Sequence, residues 1–201
     1  SDTGWGKALW GKLYGQWMCE APIFTYDFDK FDAHDILPMF KQYNITTFCA
    51  PPTMYRMLIK QDLSQYDLSS IQHATTAGEA LNPEVFYQFR KATGLQIAEG
   101  YGQTEMTLGI GNLTGNLMKP GSMGKPIPGY GIDLVDPDGN PVADGVNGEI
   151  CIKTSGDQLP CGLFLGYYQD EERTKAVWHD GWYHTGDLAW RDEDGFYWYV
   201  G

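Results

Sequence analysis

Basic residues are scarce in this chain. Lys and Arg together number 14 among 201 residues, against 26 Asp and Glu, for a formal net charge of −12. A surface this acidic repels phosphate backbones and argues against general nucleic-acid binding. The imbalance is uneven: residues 1–100 carry 8 basic and 11 acidic groups, and residues 101–201 carry the remaining 6 and 15. Two differently built halves are therefore expected. Long apolar runs are missing too. None approaches the roughly 18 residues a membrane-spanning helix needs. Cysteine is sparse, and Cys19, Cys49, Cys151 and Cys161 form no CxxC pair and no zinc spacing. Cys19 and Cys49 read as buried reduced thiols, while a Cys151–Cys161 bridge stays open. The opening Ser-Asp-Thr-Gly-Trp has no initiator Met, basic leader or small-residue cleavage site. It reads as the middle of a longer, cytoplasmic protein. With 42% apolar residues and no charge-rich, core-poor stretch, the chain is long enough to bury a core and is not disordered.

Periodicity divides the chain. Leu9, Trp10, Leu13, Tyr14 and Trp17 recur at helical spacing over residues 6–18, an aromatic stripe that reads as core packing. Ala21–Tyr26 reads as a buried strand, Phe31–Tyr43 as a helix and Ile45–Ala50 as a strand. Pro52 starts a helix through Lys60, where its missing N–H costs nothing. Ile71–Ala77 is the next strand. Asn82 then caps a helix that has Pro83 at its first position and Gly94 at its end, and Gln96–Gly100 is a strand. Alternating strand and helix imply a parallel sheet with packed helices. After Gly109 the pattern changes to short strands (Gly131–Val135, Gly148–Lys153, Trp182–His184, Phe196–Val200) separated by Gly- and Pro-rich turns, with a single helix at Asp170–Trp178. The fold class is therefore α/β over residues 1–117, followed by a β-rich, barrel-like subdomain over 118–201.

Three segments could carry chemistry. Glu99-Gly100-Tyr101-Gly102-Gln103-Thr104-Glu105 follows a strand, where ligands of open α/β sheets bind. Its glycines permit close backbone approach, its aromatic ring can stack on a base, and its hydroxyl and carboxylate suit a phosphate oxygen and Mg²⁺. In Tyr183-His184-Thr185-Gly186-Asp187, the carboxylate can accept from two vicinal hydroxyls such as a ribose offers, or it can simply close a hairpin. Ala77-Gly78-Glu79-Ala80 can wall a ring or be an ordinary connection. His179 and His184 lack a third ligand at a zinc-like interval, and Asp192-Glu193-Asp194 reads as a solvated turn.

Taken in order, Gly100-Tyr101-Gly102-Gln103-Thr104-Glu105, Gly148-Glu149-Ile150, Gly166-Tyr167-Tyr168 and Tyr183-His184-Thr185-Gly186-Asp187 resemble the adenylate-forming superfamily. Asp2-Thr3-Gly4-Trp5, Ala50-Pro51-Pro52-Thr53 and Ala77-Gly78-Glu79 are similar to its medium-chain acyl-CoA synthetases. The resemblance implies a two-step ligase that uses a small carboxylic acid, ATP with Mg²⁺, and CoA. It assigns Gly78, Glu79, Ala80, Glu99, Gly100, Tyr101, Gly102, Gln103, Thr104 and Asp187 to the nucleotide. Within that set Tyr101 would stack on adenine, Thr104 would bond the α-phosphate and Asp187 would hold the ribose. Thr104 and Glu105 would be catalytic, with Glu105 also the Mg²⁺ ligand. Trp5 and Gly102 would lie at the acyl pocket. Short-chain members carry Trp where this chain has Gly102, which implies a medium-chain or aryl acid rather than acetate.

The resemblance also implies missing parts. The family's phosphate loop would lie before Ser1, and its hinge and the C-terminal domain with the adenylation Lys after Gly201. The 201 residues alone are thus expected to be inactive, to bind nucleotide weakly and to self-associate through surfaces left bare. Two alternatives remain: a carboxylate-adenylating enzyme that passes the acyl group to a carrier protein, and a non-catalytic carbohydrate- or ligand-binding module.

Overall fold

The computed structural model describes residues 5–156 and 159–201, so the part of the Asp2–Trp5 motif at positions 2–4 lies outside the described residues. The chain packs as two compact units, Ser1–Glu99 and Gly100–Gly201. This packing boundary precedes the change of composition, because Tyr101, Met106 and Ile110 are buried in the second core.

The first unit opens with a π-helical stretch, Ala8–Tyr14, that runs into α1 (Gly15–Met18). Gly15 donates to the Trp10 carbonyl, and a Cβ on Gly15 would sit 2.9 Å from that oxygen, so glycine is what lets this wide turn close. The aromatic stripe is not core: Trp10, Tyr14 and Trp17 are exposed, Trp17 by 61%. The expected strand at Ala21–Tyr26 is irregular chain. Pro22 offers no N–H to a ladder, and no strand pairs with the segment among the described residues; instead Phe24 packs on Tyr43 at 5.0 Å between centroids.

The remaining elements are where local signals put them: α2 (Ala33–Gln42), β1 (Thr47–Cys49), α3 (Pro52–Leu58), β2 (His73–Ala77), α4 (Pro83–Thr93) and β3 (Ile97–Tyr101). Asn82 Oδ1 accepts the Glu84 amide at 2.9 Å, and Gly94 closes α4 at φ +77. Strand β1 runs parallel to β2, whose other neighbour is β3. Phe48 of β1 joins Phe40, Tyr55 and Phe89 in a chain of edge-on rings. The wholly buried Tyr55 hydroxyl donates to the Phe48 and Thr75 carbonyls, and so satisfies a polar atom that burial would otherwise penalise.

Glu99, on β3, is 5% exposed and accepts the Leu81 amide at 3.0 Å. Burial raises its pKa from 4.5 to about 7, partly offset by that hydrogen bond. Between these pH values the native state holds a proton that the unfolded chain has released, so stability falls as pH rises through this window. A shift of this size corresponds to a penalty of about 3 kcal/mol once Glu99 is ionised. Glu99→Gln keeps the acceptor and removes the charge. Denaturation at pH 5 and pH 8 should show the variant gaining on the wild type at pH 8. A wild-type-to-variant difference that is the same at both pH values would refute the assignment.

In the second unit the last residues of β3 pair antiparallel with β4 (Ile110–Gly111), which pairs antiparallel with β5 (Lys125–Pro126). The sheet read as parallel is therefore mixed. A curled antiparallel sheet follows in the order β10-β9-β7-β6, built from β6 (Ile132–Val135), β7 (Gly148–Lys153), β9 (Trp182–Arg191) and β10 (Tyr197–Tyr199), with α5 (Glu171–Val177) leading into β8 (Trp178–His179) on β9. Strand β9 is far longer than its predicted three residues. Asp192 is not a solvated turn residue. It accepts from Asp194 N, Phe196 N, Trp198 Nε1 and Lys119 Nζ, and so organises the β9–β10 hairpin. All four cysteines are free, and Cys19 is exposed rather than buried. No helix among the described residues is long and apolar enough to cross a membrane.

Candidate functional site

The second unit gathers the site around the end of β3 and a protrusion of β9. Along β7 and β9, Glu149 pairs with Leu188 and Cys151 with His184. Residues 185–187 therefore stand opposite Ile150 alone. Such a bulge lifts a short loop off the sheet and re-aims its side chains. Thr185 repairs the ladder by donating its hydroxyl to the Ile150 carbonyl at 2.7 Å, and Gly186 turns the chain at φ +78. Asp187 then projects from the bulge.

Its carboxylate meets the β3 segment. Tyr101 OH donates to Asp187 Oδ2 at 2.6 Å, Gln103 Nε2 donates to the same oxygen at 2.6 Å, and Tyr199 OH donates to Oδ1 at 3.1 Å. Gln103 also donates to the Thr185 carbonyl and accepts from Tyr183 OH, so its amide orientation is determined on every side. Burial, with the neighbouring carboxylate, holds the Tyr101 hydroxyl well above its ordinary pKa and raises that of Tyr199, keeping both as donors. A carboxylate has about four lone-pair positions. Three are occupied by protein donors, and the fourth lies on Oδ1, the oxygen that faces the exposed Tyr199.

The loop from Gly102 to Gly109 is held by main-chain bonds, Met106 N to Gln103 O and Thr107 N to Gly162 O. Thr104 is exposed, and Glu105 Oε1 accepts from Tyr167 OH at 2.9 Å. Burial and Glu105 together raise the Tyr167 pKa, so it too stays a donor. A Cβ on Gly102 would stand 2.9 Å from the Thr107 carbonyl oxygen, which gives this glycine a local reason independent of pocket size. A Cβ on Gly100 would run into the Leu108 side chain.

The other sequence-predicted residues belong to the first unit. Gly78 turns at φ +94 beside Trp5, whose ring a Cβ there would meet at 3.0 Å. Lys7 donates to Ala77 O at 2.8 Å and lies over the Trp5 ring, with its pKa lowered chiefly by burial. Glu79 is 3.8 Å from Arg56, Ala80 is exposed, and the Glu99 side chain points to Leu81.

Sequence reasoning missed Glu149. Its Oε1 accepts the Gly186 amide at 2.8 Å and its Oε2 lies 2.9 Å from His184 Nδ1. No spacing rule links residues 149 and 184; only strand pairing does. Together with Cys151 these side chains place three metal-ligating atoms within 4.8 Å of one another. They are already joined by hydrogen bonds, however, and burial with the Glu149 charge pushes the Cys151 thiol far up, away from the thiolate a metal requires.

Comparison with known proteins sets this geometry in context. The family described as "AMP-binding enzyme" matches residues 8–168. The chain is 42% identical over 200 residues to acyl-coenzyme A synthetase ACSM3 of Rattus norvegicus, and 42% identical over 201 residues to acyl-coenzyme A synthetase ACSM4 of Homo sapiens; in both cases it is covered completely. It spans 34% of the length of each of these relatives. Among solved structures, it is similar to the anthranilate CoA ligase AuaEII in complex with anthranoyl-AMP (TM-score 0.88, 31% identity, covering 99% of this chain and 38% of that one). It is equally close in fold to an acyl-CoA synthetase of Brucella canis (TM-score 0.88, 27% identity, covering 100% and 37%). The expected cytoplasmic location is overturned, because the matched synthetases are named as mitochondrial proteins.

Proposed function

Because the chain belongs to the AMP-binding enzyme family, we propose that it is part of an AMP-forming acyl-CoA synthetase. In the first step the carboxylate of a small acid attacks the α-phosphorus of ATP, giving acyl-adenylate and pyrophosphate. In the second, the CoA thiol attacks the acyl carbon, giving acyl-CoA and AMP. Catalysis of the first step rests on holding the reactants in line and on neutralising charge. The carrying observation is the hydrogen-bonded convergence of Tyr101 and Gln103 on Asp187, residues more than 80 positions apart.

In this reading Asp187 accepts the ribose hydroxyls through Oδ1, with Tyr199 giving way. Tyr101, its hydroxyl tied down, presents a fixed ring to adenine. The exposed Thr104 donates to the α-phosphate. Glu105 offers the oxygen not taken by Tyr167 to Mg²⁺, which when bound would neutralise phosphate charge. A hard cation with oxygen ligands fits that carboxylate. For Gly78, Glu79, Ala80 and Glu99, all in the first unit, the nucleotide role rests on the family resemblance alone.

The acid is medium-chain or aryl. The likeness to an anthranilate CoA ligase supports this. Each buried methylene contributes roughly 0.8 kcal/mol, so four more methylenes should favour hexanoate over acetate by up to about 10²-fold in kcat/KM. Carboxylate-dependent exchange of labelled pyrophosphate into ATP by the full-length protein measures this. No exchange, or acetate preferred over hexanoate and benzoate, would refute the reading.

A further inference from the structure

We propose that Glu149 is the positioning residue of the nucleotide site: it holds Gly186, and through it the Asp187 carboxylate, in the orientation that meets the ribose. The inference rests on the role given to Asp187 above.

The reason lies in the bulge. With 185–187 facing Ile150 alone, the ladder cannot satisfy the protruding backbone. Thr185 supplies two of the missing bonds, donating to Ile150 O and accepting from Asp187 N at 3.2 Å. The Thr185 carbonyl takes Gln103 Nε2. The apex amide, Gly186 N, is bound by Glu149 Oε1 at 2.8 Å. The other Glu149 oxygen lies 2.9 Å from His184 Nδ1, where the bulge begins. One carboxylate therefore ties the base of the protrusion to its apex. Gly186 sits at φ +78 with open space where a Cβ would be, so nothing braces that side of the apex, and the Glu149 hydrogen bond anchors it. The Asp187 carboxylate accepts from Tyr101, Gln103 and Tyr199, so Glu149 acts on it only through the turn. The chemistry at 149 also has a size requirement. Aspartate is one methylene too short to reach both Gly186 N and His184, whereas glutamine keeps an acceptor for Gly186 N and a donor for an unprotonated Nδ1.

The test is a cycle in the full-length protein that compares Glu149→Ala, Glu149→Asp and Glu149→Gln with Asp187→Ala and the Glu149→Ala/Asp187→Ala double variant. KM for ATP and for 2′-deoxy-ATP, kcat and the thermal midpoint are measured for each. Losing a hydrogen bond to a charged group should raise the KM for ATP about tenfold in Glu149→Ala and Glu149→Asp, with kcat within about twofold. Discrimination against 2′-deoxy-ATP should shrink, and Glu149→Gln should restore most of both. In the Asp187→Ala background, Glu149→Ala should add nothing. If Asp187→Ala raises the KM while Glu149→Ala leaves it unchanged, or if the two effects multiply in the double variant, the positioning role is wrong and the ribose role of Asp187 stands. If Asp187→Ala itself leaves KM and 2′-hydroxyl discrimination unchanged, the ribose reading fails and the positioning role with it. Should Glu149→Ala not fold, the Asp and Gln variants carry the same criteria.

Discussion

Asp187→Ala in the full-length protein should lower kcat/KM for ATP by about 10²–10⁴, mostly through KM. Two hydroxyl–carboxylate hydrogen bonds would be lost, each worth about 1.5–3 kcal/mol when one partner is charged. The variant also strips the acceptor from Tyr101 OH, Gln103 Nε2 and Tyr199 OH. Tyr101 is buried, so its orphaned hydroxyl costs about 1–3 kcal/mol of stability in addition. Asp187→Asn separates the two effects: it keeps an acceptor of the same shape for Tyr101, so it should melt close to wild type while still losing affinity for ATP. Isothermal titration with AMP alongside thermal melts reads both. An Asp187→Ala protein that binds AMP as tightly as wild type would remove the basis for placing the ribose at this carboxylate.

The largest stability effect should come from Gly124→Ala. Gly124 adopts φ +99, and a Cβ there would fall on the main chain of Gly111 and Asn112, which has no side-chain torsion by which to move aside. The backbone is held in place from the other side by Tyr197, whose amide donates to Gly124 O at 2.9 Å while its carbonyl accepts Met123 N. Left-handed strain of roughly 1–2 kcal/mol and overpacking of roughly 1–3 kcal/mol add to about 4 kcal/mol. That is a large share of a typical domain's 5–15 kcal/mol. Gly139→Ala is the control, since it has φ +80 with nothing within 4 Å of the added carbon and should cost strain alone. Urea denaturation of the two variants should show Gly124→Ala the worse by roughly 1–3 kcal/mol, the overpacking contribution. Equal midpoints would mean that the crossing at Gly111 is looser than described.

Much of the site's composition was legible along the chain. Gly100 to Glu105 and Tyr183 to Asp187 are contiguous, and their residue types suit a nucleotide without reference to anything distant. What the sequence could not show is that Asp187 already has three protein donors, that Glu99 turns its carboxylate into the first unit, or that Gly102 is required by the Thr107 carbonyl. The aromatic stripe at 6–18 shows the converse. Its helical period holds, but periodicity says only that one face is apolar, not that anything covers it, and Leu9, Trp10, Tyr14 and Trp17 are exposed here.

By itself the sequence determined the elements whose causes are local: Asn82 and Pro83 starting α4, Gly94 ending it, Pro52 opening α3, Asp170 capping α5. Each acts on backbone groups within a turn of itself, so no knowledge of the fold is needed. The tertiary structure alone decided the three-against-one bulge in β9, the reach of Glu149 to Gly186 and His184, and the four bonds that Asp192 accepts. These depend on strand register, which brings residues dozens of positions apart within hydrogen-bond distance and leaves no periodic trace in either strand.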